Sequence, residues 1–310
     1  MDLSNVIARW VSQAPKDIGL IKDDRKLPPQ AIWTQANCLA TGLISLGLQP
    51  GEGVAAWLCS TPELVITYLA IQLAGGCFVP VFHSVKNKEL ISILNRSRSS
   101  IVIISLDLYD RYHDIEEKVK SVRQLVVDAG EIGAETTLPS NAKSLTPMLM
   151  VGRDVTLPDT EPSARSMCFF TDEYSKQVEI YREKDRWAKA SIAAANAFKK
   201  NEIILNTLDL LNPEALLLGT IWPLLAYCTV FIQAAQSKNF PKILKENRFD
   251  TILLNADTAE SLFAACPDTK VSKVLWHGPG IEDASKRIRN LTGTNPVPIK
   301  DVVDSVGFIP

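Results

Sequence analysis

The sequence predicts an α/β fold, mostly parallel sheet flanked by helices, and two observations carry that expectation. Short apolar runs bounded by Gly, Pro and polar clusters alternate with longer stretches of helical periodicity. The same rhythm resumes in the second half after a polar interval. Such alternation calls for parallel strands joined by crossovers, with helices on both faces.

The first helix is expected over 28–47, where Ile32, Ala36, Leu39, Leu43 and Leu46 recur at steps of three and four and Gly47 suits a left-handed cap. Gly51 and Gly53 turn the chain into an apolar strand at 54–59. Ser60-Thr61-Pro62-Glu63 then reads as a capping box with proline in the first turn, ahead of a helix over 64–74 closed by Gly75-Gly76. Strands follow at 77–81, 101–106 and 125–128, with helices at 86–96 and 109–122. Residues 136–165 gather proline and polar side chains and are expected as a linker or long loop between a first α/β subdomain (1–135) and a second (166–310). In the second, strands are expected at 167–171, 203–205, 229–233, 251–254 and 273–276. The helices between and after them fall at 185–198, 213–225, 241–246, 259–265 and 282–291. The halves share a rhythm without a visible residue-level repeat.

Composition narrows the function classes. The 33 basic and 35 acidic side chains leave a formal charge of -2, and no half of the chain gathers a basic stripe, so nucleic acid is not an expected partner. The N-terminus lacks the basic and apolar regions of a secretory signal, and the most apolar stretches are broken by polar residues and proline, so no transmembrane segment is read and a cytoplasmic location is expected. Cys38, Cys59, Cys77, Cys168, Cys228 and Cys266 show no metal-ligand spacing and are expected as buried thiols. Of three histidines, His83, His113 and His277, the last ends a predicted strand before Gly-Pro-Gly, where α/β proteins bind ligands; a structural role is the plainer reading.

The stretch 33–80 resembles the opening of AMP-forming acyl-CoA synthetases, the superfamily that includes luciferases and peptide-synthetase adenylation domains. Ala40-Thr41-Gly42-Leu43-Ile44-Ser45-Leu46-Gly47-Leu48, Pro50-Gly51-Glu52-Gly53-Val54 and Thr61-Pro62-Glu63-Leu64 carry the resemblance in order and spacing. Tyr68-Leu69-Ala70-Ile71-Gln72-Leu73-Ala74-Gly75-Gly76 followed by Val79-Pro80-Val81 adds to it. The resemblance implies the family's large N-terminal domain, with two mostly parallel sheets flanked by helices, and a chain that stops before the small C-terminal domain.

Family members wrap ATP phosphates in a Gly/Ser/Thr-rich loop with a lysine, because backbone N–H groups must approach an anion closely. The matching stretch here reads Phe170-Thr171-Asp172-Glu173-Tyr174-Ser175-Lys176-Gln177-Val178-Glu179-Ile180, without a glycine. Asp172 and Glu173 fall where the family has a hydroxyl and a glycine, and Glu179 where it has the lysine. These carboxylates could instead form a cation site, but they lack a ligand spacing, and a solvated acidic loop is the plainer reading. By the resemblance, the positions equivalent to nucleotide contacts are Thr171, Ser175, Lys176, Gly278, Gly280 and Asp304, and the altered motifs imply that they are degenerate. No catalytic or metal-binding residue is assigned.

If active, the chain would be an ATP-dependent acid–thiol ligase. The loop argues instead for a pseudoenzyme deficient in adenylation, with no cofactor, ATP and Mg serving only a residual family activity, and with an acyl or CoA-like ligand or a protein as partner. The alternatives are a fatty-acid or carboxylate–CoA ligase component active only in a longer or complemented form, and a non-catalytic protein-interaction module.

Overall fold

The computed structural model describes residues 3–130, 138, 140–159, 165–170, 178–182, 197–265, 271–299 and 301–302. Two seven-stranded sheets form the frame. The first has the order β7-β6-β5-β3-β4-β8-β9 and the second β14-β13-β12-β10-β11-β1-β2. The strands are β1 (Leu20–Lys22), β2 (Arg25–Leu27), β3 (Gly53–Trp57), β4 (Cys77–Pro80), β5 (Ser99–Ser105), β6 (Gln124–Asp128) and β7 (Ala142–Ser144). They continue as β8 (Arg165–Phe170), β9 (Val178–Arg182), β10 (Ile203–Asn206), β11 (Thr229–Ile232), β12 (Thr251–Leu254), β13 (Lys273–Trp276) and β14 (Pro296–Pro298).

The orders are the same when β3 is matched to β10, β4 to β11, β5 to β12, β6 to β13 and β7 to β14. Even the flanking hairpins correspond: β8 joins β4 in parallel and β9 antiparallel to β8, as β1 joins β11 and β2 joins β1. Sheet membership does not follow the expected divide at 136–165, because β1 and β2 lie in the second sheet while β8 and β9 lie in the first. Within 140–159 the chain forms β7 and the short helix α6 (Leu145–Met150), whose Leu145, Met148 and Leu149 are buried.

Alternation along the strands explains the layers. Val54 and Ala56 enter the central core, while Ala55 and Trp57 face an outer core under α4 (Asn87–Ser97). In β12, Leu253 points to the central core and Ile252 and Leu254 to the other outer core, under α8 (Phe240–Glu246), α9 (Ala256–Ala265) and α10 (Ile281–Thr292). Between the sheets lie α1 (Leu3–Gln13), α2 (Pro29–Ser45), α3 (Pro62–Leu73) and α7. The last is built from Pro213–Leu216, a π-helical turn at Leu217–Ile221 and Trp222–Leu225. In α3 every residue but Glu63 is buried, as a helix sandwiched between two sheets requires.

The cap expected at Gly47 forms: its φ is 89°, and the Leu48 N–H reaches the Leu43 carbonyl at 3.2 Å. Two local expectations are corrected. Ser60 does not cap α3, whose N-cap is Thr61 without a side-chain hydrogen bond; the Ser60 hydroxyl is recruited elsewhere, as shown below. The helix expected over 109–122 is only α5 (Tyr109–His113) and a 3-10 turn at Glu116–Lys118. The chain after it is held back against the end of α4, where Asn95 donates to the Lys118 carbonyl and the Ser121 hydroxyl to the Leu94 carbonyl, both at 3.3 Å.

Among the described cysteines, Cys77, Cys168 and Cys228 are buried free thiols, and burial pushes Cys77 and Cys228 up to about 12. Cys59 is exposed, contrary to expectation, because it follows β3 at the open carboxyl end of the sheet. Among the described residues, no helix is long and apolar enough to cross a membrane. The helix expected over 185–198 lies outside the described residues up to 196.

Candidate functional site

In the second sheet the chain passes from β10 to β11 on one side and from β12 through β13 to β14 on the other. The strand order therefore reverses between β10 and β12, and the crevice outside the carboxyl ends of such strands is where open α/β sheets bind ligands.

The floor of this crevice is set by Asn206, the last residue of β10 and wholly buried. Its Nδ2 donates to the Ala215 carbonyl at 2.9 Å and to Thr220 Oγ1 at 3.0 Å, and its Oδ1 accepts from the Leu208 N–H at 3.1 Å. The Thr220 hydroxyl also reaches the Ala215 carbonyl, at 3.3 Å. Two side chains thus compete for one carbonyl of α7, and the helix widens into its π-helical turn at this place. Gly219 sits inside that turn because a Cβ there would stand 2.5 Å from Asn206 Nδ2 and 2.6 Å from Leu253 Cδ2. The Thr207 hydroxyl donates to the Leu253 carbonyl at 2.7 Å, fastening the β10 end to β12.

The wall is a three-residue constellation. Asn212 is the N-cap of α7, its Oδ1 accepting from the N–H groups of Glu214 at 2.8 Å and Ala215 at 3.2 Å. That commits the amide oxygen to the helix and leaves Asn212 Nδ2 facing His277 Nε2 at 3.2 Å. His277 Nδ1 lies 2.9 Å from Glu214 Oε2. The network assigns the neutral tautomer in which Nδ1–H donates to Glu214 and Nε2 accepts from Asn212. The imidazole is 29% and the Glu214 side chain 42% exposed, so solvent reaches both. Asn212→Ala should remove the cap and the Nε2 donor together. Urea unfolding is expected to show a loss of about 1 kcal/mol, and nitrogen-15 NMR a change at His277 Nε2, with the Nδ1–H resonance retained.

A cross-tie closes the crevice toward the first sheet. Ser60 Oγ donates to Asp209 Oδ1 at 2.8 Å and accepts the Leu210 N–H at 2.9 Å. Asp209 Oδ1 also accepts the Leu211 N–H at 3.0 Å. The loops after β3 and β10 are thereby joined across the two sheets.

Of the positions expected at nucleotide contacts, Gly278 and Gly280 lie at the rim. Both have left-handed φ, 83° and 82°, with nothing within 4 Å of a built Cβ, so backbone conformation rather than space asks for glycine. Their loop turns the carbonyls of Gly278 and Pro279 onto Trp276 Nε1, at 3.1 and 3.2 Å. Thr171, Ser175, Lys176 and Asp304 lie outside the described residues, as do Asp172 and Glu173. Glu179 stands in β9 opposite Phe169, and the Phe170–Val178 pair brackets the seven residues of the loop. Sequence reasoning singled out His277 by its place at a strand end and missed Glu214, a residue 63 positions away. Among the described residues, no three of His, Cys, Asp and Glu gather to hold a metal.

The comparisons with known proteins agree with this architecture. Tyrocidine synthase 1 of Brevibacillus parabrevis is 30% identical over 124 residues, 40% of this chain and 10% of that protein. A propanoyl:CoA ligase of Mycobacterium tuberculosis acting on a methyl-dioxo-octahydroindenyl acid is 32% identical over 94 residues, 30% of this chain and 18% of the ligase. The anthranilate CoA ligase AuaEII, in complex with anthranoyl-AMP, superposes with a TM-score of 0.83 at 13% identity. ATP-bound MatB from Rhodopseudomonas palustris superposes at 0.78 and 17%. Each superposition covers 96% of this chain and 59% of the other, so this chain spans less than two thirds of either of those two proteins. These similarities show the fold. A family model described as "AMP-binding enzyme" matches residues 7–171, more than half of the sequence, and the chain belongs to the AMP-binding enzyme family.

Proposed function

We propose that this chain is an acyl-CoA synthetase-like protein deficient in ATP-dependent adenylation. The observation that carries the reading is the loop between β8 and β9, where Asp172, Glu173 and, at the start of β9, Glu179 replace the small residues and the lysine of the family pattern. Carboxylates beside a polyphosphate repel it. At an effective dielectric near 20, each such contact at ~4 Å costs about 4 kcal/mol before relaxation, or roughly three decades of affinity.

What supports retained ligand binding in the crevice is that hydrogen bonds hold Asn206 and His277 in place while solvent reaches the His277 and Glu214 side chains. An acyl or CoA-like ligand is the class proposed for it, by the fold's precedent of ligands outside carboxyl strand ends. Calorimetry separates the two halves of the reading. Titration with ATP–Mg is expected to give no heat at micromolar concentrations, whereas an acyl-adenylate analogue or a fatty acid should bind. Micromolar ATP affinity would overturn the deficiency. Silence toward every ligand would leave a non-catalytic interaction module as the better description.

A further inference from the structure

The correspondence of the two sheets leads to a second crevice. Strand order in the first sheet reverses between β3 and β5, as it does between β10 and β12 in the second. At both places the helix that follows the first of these strands opens on a residue, Pro and Glu: Thr61-Pro62-Glu63 on α3 and Asn212-Pro213-Glu214 on α7. The crevice of the first sheet is a half-open cavity of about 710 Å³. It is roofed by the turn of the β1–β2 hairpin, which borders the second sheet as the β8–β9 pair borders the first.

The chemistry of this cavity is its own. Where the second crevice offers His277 after β13, the first offers Asp128 at the end of β6. Its partner is the Gly130 N–H at 3.0 Å, and no ion pair reaches it among the described residues. Burial pushes its carboxyl above the usual range, and nearby Glu63 and Asp107 add to that while the Gly130 N–H and Arg25 oppose it. The two cations of the lining are engaged: Lys22 Nζ donates to the Ser60 carbonyl at 2.7 Å, and Arg25 is paired with Glu63.

Gln35 and Thr61 also line the cavity, but Gln35 Oε1 and the Thr61 hydroxyl oxygen are covered by protein and leave Asp128 as the acceptor a ligand can reach. An apolar shelf completes the cavity. It is formed by Pro62, Leu149 and Met150, and Met150 is 73% exposed, an unusual state for a large apolar side chain beside a cavity. A carboxylate that has one backbone N–H donor and no cation, beside apolar surface, is complementary to a positively charged N–H donor group with a hydrocarbon body.

We propose that the crevice of the first sheet binds a small amphiphilic organic cation, its ammonium on Asp128 and its hydrocarbon along Leu149 and Met150. The site is separate from the crevice of the second sheet, and its ligand requires no ATP.

The test is calorimetry of the whole chain with hexylammonium, ethylammonium, hexanol and hexanoate. Hexylammonium is expected to bind with a Kd of about a millimolar or tighter, and ethylammonium about tenfold more weakly because less hydrocarbon is buried. Asp128→Asn should weaken hexylammonium about tenfold or more, while Met150→Ser, at an exposed position that leaves the fold intact, should flatten the dependence on chain length. Binding to the parent chain that Asp128→Asn leaves unchanged would overturn the proposal, as would hexanoate or hexanol binding as tightly as hexylammonium. Loss of hexylammonium in Glu214→Gln with full retention in Asp128→Asn would place the cation in the other crevice and equally refute it. Absence of millimolar binding by folded parent protein would do the same.

Discussion

The triple variant Asp172→Ser/Glu173→Gly/Glu179→Lys is expected to bind ATP–Mg about a thousandfold more tightly than the parent chain. The estimate takes one relieved like-charge contact of about 4 kcal/mol as the realised gain and lets relaxation absorb the rest. Glycine at 173 returns the backbone freedom that an anion-wrapping loop needs, and lysine at 179 supplies the positive charge. Competition calorimetry against a fluorescent ATP analogue measures it. If the triple variant binds no better than the parent, loop charge is not the defect, and the proposal of a pseudoenzyme through this loop fails even though the fold stands.

The second large effect is on stability. Gly219→Ala is expected to lower the unfolding free energy by about 2 to 3 kcal/mol, since the new methyl meets the Asn206 amide and Leu253 in a fully packed layer. Helix propensity alone would predict a gain, so the sign distinguishes packing from propensity. Asn206→Ala should also destabilise, by leaving the buried Leu208 N–H without its acceptor and the Ala215 carbonyl with the longer Thr220 hydrogen bond alone. The double variant gives the sharper check. Removing the Asn206 amide makes room for the methyl, so the two losses should add to less than their sum in a urea-unfolding cycle.

Much of the fold was legible before the structure. Strands at 77–81, 125–128, 251–254 and 273–276 and helices at 86–96, 213–225 and 282–291 come within a residue or two of their observed bounds. Those segments are long or uniformly apolar, so local pattern and tertiary burial agree. The short hairpin β1–β2 escaped notice because three-residue strands carry no alternation, and their partner in β11 lies some two hundred residues away. The capping box at Ser60 was misread for a related reason. The hydroxyl satisfies the Leu210 N–H and Asp209 across the sheets, and that competing demand has no local signature.

The candidate site was legible only in part. His277 stood out by its place after β13, and the glycines after it by their turn chemistry. Nothing in the sequence tied Glu214 or Asn212 to His277, because one looks like any first-turn acid and the other like any helix cap until the fold brings them to the imidazole. The stretch 171–177 was the opposite case, singled out by its departure from the glycine-rich pattern of the family it resembles.

The sheet orders have a consequence for how the molecule holds together. Each half of the chain lends the other its outermost pair of strands, so a separated half would leave β4 or β11 with a bare ladder edge inviting association. The two halves form a reciprocal clasp. A nick at the exposed Met150–Val151 stretch would therefore sever the chain without parting its pieces, because the hairpins would still be held in each other's sheets.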